Sequence, residues 1–388
     1  MLLLPYDPGP PVDLCSELDE WHRLLDSRGP LRRAWAGRLR RDLEAEAVAA
    51  STRMEGVNVT VEEVRRILAG ASTPRVEPED RSLVEGYRNA MSFVLRRADD
   101  DAFTWDRGLI AGLHDRVMAG RYDLGAGRLR TDAPVFIVSR LTGEQVFLPP
   151  EGERVRELVD IACERMEAGH PHPAVAAAWL HAAIAAIHPF KDGNGRSARI
   201  LASLAMYRGG FKRPEFTSLE EWWGGHLDDY YGLFRNLGEE FAKDAEATSF
   251  IVGHIEAQLH QARALDLRLR TEQQIWTALE SVAETAHLDP RVTNALWDCF
   301  FGRDVTAGYY RPLADVSPAT ATNDLAAAVS SGLLRAIGER RGRRYISGES
   351  LYEETARLLM IPAVGSPETA RDEIVAELAR RLQSVERR

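Results

Sequence analysis

A histidine, an aspartate, two glycines and two arginines are concentrated in one short stretch, IHPFKDGNGRSAR, at residues 187–199. Its GNG segment stands where a loop enters a helix, and glycines let backbone N–H groups converge on one point. The helix N-terminus adds about half a positive charge there, so the segment predicts a cradle for phosphate. Arg196 and Arg199 lie one turn apart on the same helix, and guanidinium groups suit phosphate oxygens. Two arginines beside such a cradle predict a polyphosphate ligand.

Two further side chains extend the chemistry of this stretch. Asp192 would repel a phosphate unless a cation lay between them, and Mg²⁺ typically binds one or two carboxylates together with phosphate oxygens. His188 could act as general base on an attacking hydroxyl. The whole stretch therefore predicts transfer of a phosphate-containing group from a nucleotide to a hydroxyl. The GNG segment by itself is also compatible with a plain turn between two core helices.

The order of these residues resembles the complete signature of Fic-domain proteins, HPFx[DE]GNGRxxR. The resemblance implies a helical Fic core that transfers AMP from ATP to a protein hydroxyl. It implies that His188 deprotonates a target Ser, Thr or Tyr and that Asp192 holds Mg²⁺. The nucleotide-binding residues implied in the loop are Phe190, Lys191, Gly193, Asn194, Gly195, Arg196 and Arg199.

Two other segments gain a role through this resemblance. Residues 132–148 carry apolar runs on either side of a turn and predict a β-hairpin. In the family such a hairpin is a flap over the active site, where the target protein adds a strand; a purely structural hairpin is the alternative. The flap residues expected to dock a target are Val135, Phe136, Ile137 and Val138. Tyr230 and Tyr231 resemble the family's tyrosine pair near adenosine, although a core or surface aromatic pair fits the sequence equally well.

The segment STRMEGVN, residues 51–58, reads on its own as the end of a helix. Ser51 and Glu55 are four residues apart and share a helix face, and Gly56 is a C-cap signal. The pattern also resembles the inhibitory helix of Fic proteins, [ST]xxxE[GN]. That resemblance implies that Glu55 pairs with Arg199 and withholds it from the γ-phosphate. Whether the same glutamate assists removal of AMP is left open.

The elements that must position these residues are mostly helical by periodicity. We expect helices within 13–70 and 82–120, a loop at 71–81, and helices at 151–168, 172–187, 193–207, 219–237 and 245–263. Beyond residue 268, helices at 272–285, 304–315 and 318–331 followed by two strands predict a winged helix-turn-helix. The expected fold is mainly α, with an N-terminal helical region (1–84), a Fic domain (85–263), a winged-helix domain (265–350) and a helical tail (351–388).

Composition limits the partners. The net charge of −10 over 388 residues argues against a surface that coats nucleic acid, and the scattered cysteines favour a reducing cytoplasmic location. No membrane segment is expected. The predicted wing carries Arg340, Arg341, Arg343 and Arg344, but basic and acidic residues are balanced over 265–350 (ten and eleven). Docking of protein or self-association is therefore favoured over DNA binding for this domain.

The expected partners are ATP and an unidentified target protein, with homo-oligomers left open. The competing hypotheses are a nucleotide-sensing DNA-binding regulator, and a Fic enzyme that uses another nucleotide or removes AMP. The intact His188 favours an enzyme, because a sensor has no need of a base.

Overall fold

The computed structural model describes residues 3–27, 33–70, 73–131, 136–138, 145–213, 216, 219–339, 342–362 and 365–386, with the side chains of 33–41, 138, 367–368 and 385–386 outside that description. The chain forms two compact units, 1–263 and 264–388. Both are built mainly from helices, which confirms the expected fold class. No helix in the described ranges is both long and apolar enough to cross a membrane.

The first unit holds the predicted site. Its helices and strands are α1 (Val12–Ser27), α2 (Arg33–Met54), α3 (Val61–Leu68), α4 (Pro78–Ala98), α5 (Arg107–Val117), β1 (Ile137–Val138), β2 (Gln145–Phe147), α6 (Gly152–Ala168), α7 (Pro173–Ile187), α8 (Asn194–Arg208), α9 (Glu220–Gly225), α10 (Leu227–Phe234) and the part of α11 (Thr248–Thr285) up to residue 263. Short 3₁₀ turns lie at Tyr122–Leu124 and Arg235–Leu237.

The centre of the first unit is the pair α7 and α8. Pro173 occupies the first position of α7, where a missing N–H costs nothing, and His172 caps the helix by accepting from the Ala174 N–H. Alanines let α7 and α8 pack closely, and Trp179 is fully buried between the surrounding helices. The Ala-rich α7 is therefore a buried core helix that ends at the site.

The predicted flap is described in part. β1 and β2 pair in an antiparallel manner, with an irregularity between Ile137 and Val138. Phe136 is half exposed, at 50%. Val135, the turn of the hairpin and the side chain of Val138 lie outside the described residues.

The second unit continues from α11. Its further elements are a 3₁₀ turn at Pro290–Val292, α12 (Thr293–Phe300), α13 (Ala307–Ala314), α14 (Pro318–Ser330), β3 (Leu334–Ile337), β4 (Arg344–Ser347), α15 (Glu349–Leu358) and α16 (Pro367–Glu386). The Ser317 side chain caps α14 by accepting from the Thr320 N–H. β3 and β4 pair where the wing was expected; Arg340 and Arg341 lie outside the described residues. The winged-helix assignment stays a prediction.

Several sequence-based element bounds are wrong. The loop expected over 71–81 ends early because α4 begins at Pro78, with acidic residues in its first turn to favour the helix dipole. The single helix expected over 219–237 breaks at His226, after two glycines that weaken a helix interior. The helices expected at 245–263 and 272–285 are one helix, α11, since no Gly or Pro interrupts the intervening sequence. Helix α12 was not anticipated.

Candidate active site

The predicted base stands at the end of α7. His188 adopts a left-handed backbone conformation (φ 49°, ψ 60°) and its N–H donates to the Ile184 carbonyl. This conformation is uncommon for a residue with a side chain, and it turns the chain from α7 into the loop. The partly exposed imidazole places Nδ1 3.4 Å from the Ala185 carbonyl oxygen. Burial, with a contribution from the charge of Arg130, lowers the pKa of His188 to about 4.

The loop after His188 is held by reciprocal hydrogen bonds. The Phe190 N–H donates to Asn194 Oδ1, and Asn194 Nδ2 donates back to the Phe190 carbonyl, both at 2.9 Å. Phe190 is fully buried and stacks on His114, with ring centroids 3.6 Å apart and planes 4° from parallel. Asn194 thus closes the loop internally, while Phe190 fastens it to the core.

His114 on α5 is a site residue that sequence reasoning missed. Its Nδ1 accepts from the Gly127 N–H at 3.0 Å, so Nε2 carries the proton and donates to the Asp192 carbonyl at 2.8 Å. Burial lowers the pKa of His114 to about 4, which keeps the ring neutral with one donor and one acceptor. The sequence around His114 does not mark it as a site residue, because its partner Asp192 lies 78 residues later.

Both glycines of the cradle are required by close neighbours. Gly193 has φ 75°, and a Cβ there would lie 2.7 Å from Met118 Sδ. A Cβ on Gly195 would lie 2.9 Å from Glu55 Oε1 and 3.1 Å from Arg199 Nη1. Both positions therefore exclude a side chain, Gly193 because of Met118 and Gly195 because of Glu55 and Arg199.

The two arginines of α8 are buried next to these glycines. Arg196 is 2% exposed, and its Nη2 lies 3.4 Å from Asp192 Oδ2. Within the described residues, Arg196 Nε and Nη1 and Arg199 Nε have no hydrogen-bond partner. Buried guanidinium N–H groups without acceptors are costly, so an anion bound here would be strongly favoured.

Glu55 occupies the outer side of Arg199. Its Oε1 accepts from Arg199 Nη2 at 2.9 Å, and the same nitrogen donates to Ser51 Oγ at 3.1 Å. Ser51 is fully buried and Arg199 is 5% exposed. Ser51 and Glu55, at the end of α2, thus meet Arg199 more than a hundred residues later in the chain.

The tyrosine pair lies beside the same arginine. The Tyr230 hydroxyl accepts from Arg199 Nη1 at 3.3 Å and is 3.2 Å from His181 Nε2. Burial raises the pKa of Tyr230 to about 12, so the hydroxyl stays protonated. Tyr231 is half exposed, and its hydroxyl donates to the Met54 carbonyl at 3.2 Å. Tyr230 is therefore a buried support of Arg199, and contact of either ring with a nucleobase stays a prediction.

Asp192 is placed to bind a cation that also contacts a bound phosphate. Its Oδ1 accepts from the Gly193 N–H at 2.7 Å, and its side chain is 48% exposed beside the cradle. No cluster of three or more His, Cys, Asp or Glu residues that could hold a metal occurs in the described part of the chain. A single carboxylate fits Mg²⁺, which fills its remaining positions with phosphate and water oxygens. The exposed Lys191 lies next to it.

Comparisons with known proteins agree with this geometry. The model of the Fic/DOC family matches residues 104–206, a range that includes His114 and the whole loop. The chain is 30% identical over 237 residues to the protein adenylyltransferase fic-1 of Caenorhabditis elegans, a match covering 58% of this chain and 45% of that protein. A Fic family protein from Desulfovibrio desulfuricans shares the fold, with a TM-score of 0.57 at 22% identity over 89% of this chain and 98% of that one.

One relative is matched over most of its length. A Fido domain-containing protein of Dictyostelium discoideum is 39% identical over 111 residues, which are 28% of this chain and 73% of that protein. The chain spans less than half of the nematode adenylyltransferase, so that protein's complete activity does not transfer with the match. With the complete loop sequence between α7 and α8 and 39% identity over 73% of that relative, the chain belongs to the Fic/DOC family.

Proposed function

We propose that this chain transfers AMP from ATP to the hydroxyl of a Ser, Thr or Tyr, on a target protein or on itself. The observation that carries the proposal is the arrangement of His188 at one end of the loop and two buried arginines at the other. Between them lies a cradle shaped by Gly193 and Gly195. Relatives named protein adenylyltransferase support the choice of AMP.

The proposed reaction is a direct displacement at the α-phosphorus. His188 removes the proton of the target hydroxyl, whose oxygen attacks the α-phosphorus of ATP. A phosphorus–oxygen bond to the hydroxyl forms, the bond between the α- and β-phosphates breaks, and pyrophosphate leaves. The N–H groups of the cradle and the guanidinium groups of Arg196 and Arg199 stabilise the negative charge on the phosphates.

The lowered pKa of His188 suits a base that must be neutral before reaction. In the free protein the ring is unprotonated at neutral pH because burial disfavours its charged form. Bound triphosphate places negative charge nearby, which raises the affinity of the ring for a proton. The base would thus become stronger when ATP is present.

Mg²⁺ is part of this proposal. Asp192 would hold the ion from the edge of the cradle, and the ion would neutralise charge on the phosphates. The Gly193 N–H fixes the orientation of this carboxylate.

We further propose that Glu55 restrains the reaction. The carboxylate lies 2.9 Å from Arg199 Nη2 and adjoins Gly195, so it competes with the outermost phosphate for the guanidinium. Its negative charge also repels the triphosphate. ATP bound against this contact would have its α-phosphate displaced from in-line attack.

The decisive experiment replaces Glu55 by glycine. We expect Glu55→Gly to raise self-AMPylation about 10- to 100-fold, the equivalent of one charge-assisted hydrogen bond. Mass spectrometry after incubation with ATP, GTP, UTP or CTP identifies the nucleotide, and His188→Ala in the same background should abolish the product. A modification that persists without His188 contradicts the mechanism.

Glu46 provides a matched control for the charge of Glu55. It lies on α2 itself and also pairs with an arginine, Arg65, at 3.7 Å. Glu55→Gln should raise activity by removing the charge, whereas Glu46→Gln should leave activity unchanged. Equal activation by both substitutions would indicate loosening of α2 instead of release of Arg199.

DNA binding by the second unit receives less support. Arginines near the predicted wing are paired with acidic groups, Arg344 with Asp304 at 2.8 Å and Arg303 with Asp298 at 2.9 Å. Such pairs reduce the positive potential that phosphate contact requires.

A cytoplasmic location, expected from cysteines that are free and buried, is part of the proposal.

A further inference from the structure

Arg130 has no role in the chemistry described above, yet its side chain is deeply buried beside the loop. It is 3% exposed and directly precedes the flap. Its Nε donates to the His188 carbonyl at 2.7 Å, and its Nη2 donates to the carbonyls of Ile187 at 3.1 Å and Pro150 at 2.6 Å. Its backbone N–H donates to the Pro189 carbonyl at 2.9 Å.

The acceptors explain why an arginine stands here. The last carbonyls of α7 have no donor within the helix, and the negative end of the helix dipole favours a cation. A guanidinium offers several donors in one rigid plane and can serve carbonyls from separate segments at once. Burial lowers the pKa of Arg130, as expected for a cation whose hydrogen-bond acceptors are neutral carbonyl groups.

The positions of these acceptors connect two parts of the site. Arg130 lies just before the flap and Pro150 just after it, so one guanidinium joins both ends of the hairpin. The same guanidinium binds the carbonyls of Ile187 and His188, where the chain turns into its left-handed conformation. The ends of the flap and the backbone of the base therefore share one anchor.

We propose that Arg130 is a positioning residue that fixes the flap relative to His188. The inference rests on the proposed function and on the expectation that a target strand adds to the flap. Target backbone hydrogen-bonded to the flap would then present its hydroxyl at a set distance from the imidazole. Arg130 touches neither nucleotide nor hydroxyl, so its contribution is geometric.

The kinetic test uses Glu55→Gly as the parent, so that transfer can be measured. Arg130→Met keeps the bulk of the side chain and loses every guanidinium donor. We expect kcat to fall about 10²-fold, as for a small misplacement of reacting groups, with the KM for ATP unchanged because the cradle and α8 are untouched. Arg130→Lys retains a charge near the carbonyls and should recover part of kcat.

Arg208 is the matched control. It also donates to carbonyls after a helix end, those of Ala98 at 3.1 Å and Asp100 at 2.9 Å, away from the loop. Arg208→Met should lower the melting temperature, as Arg130→Met does, but leave kcat near the parent value. Equal loss of kcat in both variants would reduce the role of Arg130 to general stability and overturn the proposal.

Hydrogen exchange tests the anchor without relying on activity. Peptides covering 145–154 and 185–190 should both exchange faster in Arg130→Met and not in Arg208→Met. If only one of these segments responds, the guanidinium does not couple them and the proposal is wrong. If the parent transfers no nucleotide at all, the proposed function fails, while the exchange pattern still decides whether the anchor exists.

Discussion

At the scale of single residues, His188 combines a strained backbone with an unusual ionisation. Its left-handed conformation directs the chain into the loop, and hydrogen bonds to its N–H and carbonyl fix that geometry. Three charged groups act on the ring: Arg130 lowers its pKa, while Glu55 and Asp192 raise it, and burial outweighs all of them. The result is an imidazole that stays neutral in moderately acidic solution.

The pH profile of transfer should reflect this neutral ring. A pKa lowered from 6.5 to about 4 keeps the base unprotonated as pH falls below 6.5, so kcat/KM of Glu55→Gly should remain on its plateau there. The profile of kcat, which reports the ATP-bound protein, should bend at higher pH because the phosphates raise the pKa of the base. ATP affinity measured over the same pH range distinguishes titration of the nucleotide from titration of His188. A kcat/KM that falls tenfold per pH unit directly below 6.5 would contradict the lowered pKa.

At the scale of elements, the loop between α7 and α8 is enclosed by segments from elsewhere in the chain. Helix α8 begins at Asn194 between Gly193 and Gly195, and the C-terminal end of α5 brings His114 and the following Met118 against Gly193. Glu55, directly after α2, lies against Gly195 and Arg199. The cradle thus depends on three helices that are far apart in sequence.

Adding one methyl group at Gly195 should show whether the cradle binds the phosphates of ATP. In the Glu55→Gly background, Gly195→Ala places Cβ in the cradle and 3.1 Å from Arg199 Nη1. We expect ATP affinity to fall by at least about tenfold, or ~1.4 kcal/mol, measured by calorimetry with Mg²⁺. Gly225→Ala is the control, because nothing lies within 4 Å of its Cβ. Unchanged affinity in Gly195→Ala would show that phosphates bind elsewhere.

At the scale of the molecule, the first unit contains several buried histidines. His114 is fully buried and His254 is 3% exposed, and burial lowers the pKa of each to about 4. His181, near His254, is also buried with a pKa well below its ordinary value. Each of these rings must shed its proton when the unit folds in mildly acidic solution.

Acid should therefore weaken the fold before carboxylates titrate. The unfolded chain binds protons at these rings below pH 6.5 while the folded chain does so only near pH 4. The free energy of unfolding should fall through that window, by up to about 1.4 kcal/mol per pH unit for each histidine. Urea denaturation of His254→Gln should show a shallower dependence on pH. The exposed His287 is the control, and His287→Asn should keep the original slope; equal slopes for all three proteins would contradict the assignment.

Sequence-based prediction works best for features that depend on residues close together in the chain. Caps are set by residues that are close in the sequence: Thr60 and Glu63 form a capping box, and Ser317 caps α14. Boundaries failed where the sequence signal was ambiguous, as at Pro78, which starts a helix in place of extending a loop. Helix α11 continues through a predicted break because a change in composition does not interrupt backbone hydrogen bonds.

The sequence by itself determined the loop, its glycines and arginines, and the family to which they point, because these residues are contiguous and their spacing follows helix geometry. Only the tertiary structure decided what surrounds them. It brought Glu55 to Arg199, stacked His114 on Phe190 and joined both ends of the flap to His188 through Arg130. These contacts join residues tens to more than a hundred positions apart, and they form because helices bury their apolar faces together, a process that no local pattern records.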